Sequence, residues 1–278
     1  MQNQFLVLDE WKAMPIRSIS FDAKKKEIKG KFKPSSSAEK QFYKQLKKVA
    51  EASGHIVERH ADGANLYNEK AMMDELKAYS QKLEPWATRQ AVKMLETVER
   101  SNKRAYQQAS KGMGHLLKSG IAEQETGMAA ASMLFEQVDL IKSIPLEAGL
   151  RAQKIAYDAF FEGTRAQVNT DTIEELKKQM GMSTEVATSR AMLIARTETA
   201  RANAAINESR ARAVGSAQYR WHNSGDEAVR HSHKFYKGKK LQGMIFSWDS
   251  PPTLDDGMTG HPGTFPNCRC FAEPVFED

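Results

Sequence analysis

The apolar residues of this chain recur at helical intervals for most of its length, and the interval changes near residue 215. Phe42, Leu46 and Val49 are spaced i, i+4, i+7, which puts them on one helix face. Ser36 and Glu39 just before them have capping-box spacing, so a helix should start there. Pro85 suits a first helical turn, and Ala91, Met94, Leu95 and Val98 form a stripe behind it. Met128, Ala131, Phe135, Val138 and Ile141 read as another core-facing stripe. Pro145 should open a separate segment, and Thr172 with Glu175 forms a second capping box. The stretch GMSTEVATSR at 181–190 should end one helix and cap the next. From Thr184 to Val214 there is neither Pro nor Gly, which predicts a helix about 45 Å long. Beyond Gly215 the sequence is dense in Gly, Pro, aromatic and His residues, and YRWH at 219–222 and GMIFSW at 243–248 are strand-like.

These patterns predict a mainly α N-terminal region followed by a small α+β C-terminal domain that a long helix enters. The expected units are an extended basic arm over 1–35, a helical domain over 36–182 and the α+β domain over 183–278. Pro15 and Pro34 prevent one continuous helix in the arm, and IRSISF at 16–21 suits a short strand. The methionines of the helical region read as core filler rather than ligands. No short period repeats, which excludes a solenoid.

Charge changes this picture only at the arm. The formal net charge is +6, and the run KKKEIKGKFK supplies Lys24, Lys25, Lys26, Lys29, Lys31 and Lys33. They are candidates for polyanion contact, as in a free-standing DNA-binding protein, against the commoner reading of a solvated basic tail. No apolar run of about 18 residues suggests a membrane span. The N-terminus lacks a signal-peptide pattern, so none is expected. The two cysteines form a CxC rather than a disulfide framework, which makes a reducing compartment the default.

Candidate chemistry is concentrated at the end. Four of the 7 histidines, His222, His231, His233 and His261, accompany Cys268 and Cys270 in the last 60 residues. Thiolate and imidazole together suit Zn²⁺, and an extended CxC presents both sulfurs on one side. His233 and His261 would complete a Cys₂His₂ shell, with His231 as substitute. The alternatives are two packed thiols with separately bonded histidines, a redox pair, or a catalytic thiol needing a nearby base. On the long helix, Arg196, Thr197, Glu198 and Arg201 occupy barely two turns. They are either a solvated face, with Glu198/Arg201 and Glu208/Arg212 as helical pairs, or a network pinning the helix to the small domain. Asp226, Arg230, His231 and His233 could instead serve a metal-dependent nuclease with the cysteines.

The ordered set of Arg196, Thr197, Glu198, Trp221, Asp226, Arg230, His233, Gly238, Pro262, Asn267, Cys268, Arg269 and Cys270 resembles a family. It is that of tailed-phage minor head proteins, the head morphogenesis proteins typified by the F protein of phage Mu. The resemblance covers roughly residues 185–275, and the long insert PPTLDDGMTGHPGTFP departs from it. It implies a virion component, made in the host cytoplasm, that binds the portal protein at the portal vertex. The major capsid or scaffolding protein would be a further partner. Its role would be head assembly with DNA packaging or delivery, and the resemblance does not imply catalysis; no membrane partner is expected. Some relatives carry a further toxin domain after this module, and none is expected here. A metal at the CxC would then be structural. Arg196, Thr197, Glu198, Arg201, Asp226 and Arg230 would form a structural polar network.

Overall fold

The computed structural model describes residues 32–60, 68–112, 126–163 and 170–276, leaving out the side chains of 159–163, 170–183 and 186. The expected strand at 16–21 and Lys24, Lys25, Lys26, Lys29 and Lys31 lie outside the described residues, while Lys33 is exposed just ahead of the first helix. Helix α1 spans Ser36–His60, α2 Glu69–Lys82 and α3 Glu84–Ala109, which runs into a 3₁₀ turn at Ser110–Gly112. Two long helices follow, α4 at Gly127–Gly163 and α5 at Thr170–Ala213.

Phe42, Leu46 and Val49 are buried as their spacing predicts, and so are Ala91, Met94, Leu95 and Val98. They meet α4 and α5 in one core that continues along α5 through Ala191, Ile194, Ala195, Ala202 and Ile206. The start of α1 differs from expectation. Ser35, not Ser36, caps it by accepting the Ala38 N–H at 3.2 Å. Glu39, freed from the predicted capping box, accepts from Arg196 at 3.3 Å.

Helix α4 corrects two expectations. Pro145 opens no new helix and sits inside this one. Proline leaves the Ile141 carbonyl without its helical donor. Buried Ile141, Ile144 and Ala148 hold the helix together across that gap, and Ser80 donates to the Lys142 carbonyl at 2.8 Å. The predicted stripe is also split. Val138 and Ile141 are buried, but Met128, Ala131 and Phe135 face outward. The buried face instead runs through Met133, Gln137, Ile141, Ile144 and Ala148. A helix apolar on both sides satisfies the periodic template twice, and spacing alone cannot choose between its faces.

Helix α5 passes unbroken through 181–190, against the predicted break. Glycine at 181 weakens a helix by only about 1 kcal/mol and keeps its N–H, so the ladder survives. The 44 residues give a rod about 66 Å long. Because it starts at Thr170, Thr172 and Glu175 lie inside its first turns rather than at its cap. The point 182/183 therefore lies within a helix.

Close approach of α1 and α5 depends on Gly54. A Cβ there would collide with the Thr184 side chain and lie 3.2 Å from the Thr184 Cα. Gly54→Ala should destabilise the protein by about 1–3 kcal/mol through overpacking, outweighing the gain in helix preference. Urea denaturation of the two proteins checks this.

After α5 the chain forms a three-stranded antiparallel sheet in the order β4-β1-β5. Its strands are β1 at Gln218–His222, β4 at Ile245–Ser247 and β5 at Phe271–Val275. Between β1 and β4 lie a single helical turn, α6 at His231–Lys234, and a hairpin of β2 (Phe235–Tyr236) and β3 (Lys239–Lys240). Alternation along β1 buries Tyr219 and Trp221. They pack with Trp248, Leu254 and Phe265, and with Phe32 and Tyr106 from the start of the described chain and α3. The mainly α region leading by a long helix into a small α+β unit is thus the observed fold.

Candidate metal corner and its anchorage

The CxC lies where the chain turns into β5. Asn267 takes a left-handed conformation, φ 56°, and the extended backbone after it places Cys268 and Cys270 on one side. His233 comes from α6, and all three side chains are buried. Its Nδ1 is 3.5 Å from each sulfur. Trp221 meets the imidazole edge-on at 5.9 Å, and Phe265 lies 4.9 Å away. The donor atoms of these three residues all fall within 4.8 Å of one another, and among the described residues they are the group of His, Cys, Asp or Glu so placed.

The electrostatics fit a cation. The Cys270 thiol, donating to its neighbour, and then His233 hold Cys268 well below the usual thiol range, to about 4. The Cys268 thiolate and burial push Cys270 up. The pair therefore retains one proton and carries one negative charge. A tetrahedral Zn²⁺ with usual bond lengths would set sulfur and nitrogen about 3.6 Å apart, close to the separations found. The donor set and its spacing fit zinc, which would displace the remaining proton.

The other predicted ligands lie elsewhere. His261 Nδ1 meets the Tyr219 hydroxyl at 3.0 Å, and its Nε2 faces Glu208 at 4.0 Å. His231 is exposed and lies tilted against Phe235, ring centroids 4.9 Å apart. Sequence gives histidine count and order but not ring direction, and Tyr219 and Glu208 claim His261 first. Asp226 pairs with Arg269 at 2.9 Å and accepts from the Ala228 N–H. Asp226, His231 and His233 thus do not converge as the nuclease arrangement requires.

His261 also gives a pH prediction. Burial lowers its pKa below the ordinary 6.5, so the folded state favours the neutral ring. Its contribution is complete above about 6.5 and is lost as pH falls, because the unfolded chain then binds the extra proton. Melting followed from pH 7.5 to 5.0 should show stability falling, with a shallower slope in His261→Gln.

The polar residues of α5 bind the corner to the bundle. Arg196 donates to the Asn267 side chain at 2.8 Å and to Glu39 on α1. Thr197 accepts the Asn267 N–H at 2.9 Å. Arg230 donates to the Pro266 carbonyl at 2.6 Å. Arg201 bridges Glu198 and Glu136 of α4, and burial raises the Glu198 carboxyl above its ordinary range. Gly263 sits against α5, where a Cβ would come within 3.3 Å of the Ala200 carbonyl.

A second set went unnoticed in the sequence. Asn207 donates to the Ala272 carbonyl of β5 at 2.9 Å, and Tyr106 of α3 donates to the Asn207 carbonyl. Asn102 donates to the Asn207 side chain, and the fully buried Arg210 reaches Asn102 and Glu99. Asn203, Asn207 and Arg210 recur at i, i+4, i+7 among alanines. A polar stripe at that period on an alanine-rich helix was the available signal.

The structure is a helical bundle whose longest helix carries a small sheet closed by a Cys-x-Cys/His corner, and no helix among the described residues is long and apolar enough to cross a membrane. Residues 161–273 match the family described as Phage Mu protein F like protein. A protein of Haemophilus influenzae (strain ATCC 51907 / DSM 11121 / KW20 / Rd), described as an uncharacterized protein, is 36% identical over 141 residues. That match covers 51% of this chain and 28% of the relative's length. No solved structure matches the chain.

Proposed function

We propose that this protein is a phage minor head protein that acts at the portal vertex in head morphogenesis and in DNA packaging or delivery. The family match over 161–273 carries the reading. The bonds from Arg196 and Thr197 to Asn267 support it, because they tie together the separated pieces of the family pattern. Its partners in this reading are the portal protein and the major capsid or scaffolding protein, and it resides in the virion after assembly in the host cytoplasm. Residues 183–278 form the family module on the bundle of 36–182, and the arm of 1–35 contacts DNA. Cys268, Cys270 and His233 hold a structural Zn²⁺, and the protein performs no catalysis.

Mass spectrometry of purified virions and empty procapsids tests this. A few copies per particle in both are expected, and absence from both overturns the reading. DNA incubated with the protein and Mg²⁺, Mn²⁺ or Zn²⁺ should remain intact. Cleavage abolished by His233→Ala would establish a nuclease instead.

A further inference from the structure

Helix α3 buries Ala91, Met94, Val98 and Asn102, and its opposite side carries a line of cations. Arg89, Lys93, Arg100 and Arg104 are exposed, and Lys103 is half-buried. At 100° per residue these five project within about 100° of one another, directly away from the buried face. The line from Arg89 to Arg104 is about 22 Å long. Glu96 is the carboxylate within that arc. Between α3 and α1 lies a depression of about 600 Å³ whose lining includes Gln41, Arg89, Lys93, Glu96 and Arg100. Exposed Lys44 and Lys48 follow Gln41 on α1 at i+3 and i+7, which puts them on the same side.

Helix stability does not account for this arrangement. Several exposed cations of other helices pair with an acid one turn away: Lys47 with Glu51, Lys154 with Asp158 and Arg212 with Glu208. On α3 the spacing sets Arg89 beside Lys93, and Arg100 beside Lys103 and Arg104. Like charges so placed weaken a helix. Nor does the helix dipole call for them, since it acts within the last turn, where α3 has no basic residue. Among the described residues none of the five forms an ion pair, and neighbouring Glu99 is taken by Arg210.

We propose that this outer face of α3, with the adjoining flank of α1, binds the phosphate backbone of double-stranded DNA without regard to sequence. Cations held along a straight rod are complementary to a duplex, which presents one negative charge per about 1.7 Å of its axis. An acidic protein is a poorer match. Protein interfaces are depleted of charge at their centre and rely on apolar or aromatic anchors. Among the described residues, Val92 is the one apolar side chain lining the depression. Single strands are gripped by aromatic rings that stack on the bases, and no aromatic residue lines it. These cations are distinct from those of the basic arm, so the chain would hold DNA through two sets of residues.

Fluorescence anisotropy of labelled duplexes of two unrelated sequences tests this on the full chain. Between about 50 and 200 mM salt, both duplexes should bind equally and binding should fall steeply. Joint replacement Arg89→Gln, Lys93→Gln and Arg100→Gln should weaken binding at least about tenfold. It should also make the log–log salt dependence shallower by about 3. Circular dichroism should not change, because the three side chains are exposed. Glu96→Gln should tighten binding, a gain that damage to the fold cannot produce. No binding at about 50 mM salt overturns the proposal. So does a triple variant of unchanged affinity and salt dependence, which would leave the arm as the DNA contact. Polyglutamate competing as well as unlabelled duplex, charge for charge, would assign the face to an acidic protein segment, and the proposal falls equally. All of this is measured on the purified chain, whereas the head-protein reading is decided on virions.

Discussion

Cys270→Ser is expected to abolish zinc binding and to unfold the C-terminal sheet while the helical bundle keeps most of its far-UV signal. The sheet has strands of 5, 3 and 5 residues, too little to hold itself by backbone pairing alone. Its core is built around Trp221, Phe265 and the two cysteines, with His233 and Trp221 in edge contact. A structural zinc binds with about 10–16 kcal/mol in small peptides at neutral pH, and that energy is available only to the folded state. Its loss is comparable to the whole stability of an ordinary domain, about 5–15 kcal/mol. Elemental analysis should find one zinc per wild-type chain and almost none in Cys270→Ser. The near-UV circular dichroism contributed by buried Trp221 and Trp248 should be lost. A chelator should do the same to the wild type, more readily at pH 5.5 than at 7.5, because protons compete for the thiolates and imidazole. His261→Ala should retain the metal, since that ring belongs to Tyr219 and Glu208. Equal zinc content and near-UV signal in Cys270→Ser would leave two packed thiols.

The sequence conveyed some of this because certain residues have only one good solution. Phe42, Leu46 and Val49 are flanked by lysines, so α1 has a single apolar face. YRWH alternates strictly and becomes β1. Asn267, Cys268 and Cys270 were legible as a corner because the extended backbone fixes the direction of CxC side chains. Elsewhere local signals had competing outcomes that only packing resolves. Pro145 is a stop signal that burial on both sides of it overrode, whereas the glycine at 181 costs a helix only about 1 kcal/mol. Met128 and Phe135 fit the helical period as well as Ile141 does, but they lie on the far side of the same helix. His261 and His233 have equal standing in the sequence. The fold gives one to the sulfurs and the other to a tyrosine 42 positions away.

Helix α5 gives these pieces a common axis. Its Arg196 and Thr197 hold the turn before the CxC, its Asn207 caps the outer edge of β5, and its Arg212 reaches Asp249 after β4. The sheet therefore rests on the same helix whose opposite face completes the bundle core. Unfolding of the sheet must release hydrogen bonds along this helix, from Arg196 to Arg212.

The strongest single test of that coupling is Arg210→Ala, expected to destabilise the bundle by about 3 kcal/mol. Arg210 has no exposed surface, and its guanidinium reaches Glu99 at 2.7 Å, the Asn102 oxygen, and the face of Tyr106 at 5.7 Å. Removing it leaves the Asn102 oxygen without this charged donor and opens a cavity where the side chain lay. An orphaned buried acceptor and a cavity of that kind each cost about 1–3 kcal/mol. Glu99 is one-third exposed and can recover water, which keeps the loss near the lower end of the range for broken buried pairs. Arg210→Met fills most of the volume and should cost less, so comparing the two separates packing from charge. Hydrogen exchange should register both. Amides of β5 around Ala272 should lose protection with those of α3, because Asn207 links Asn102 to the Ala272 carbonyl. Faster exchange in α3 with β5 unaffected would show that bundle and sheet open independently.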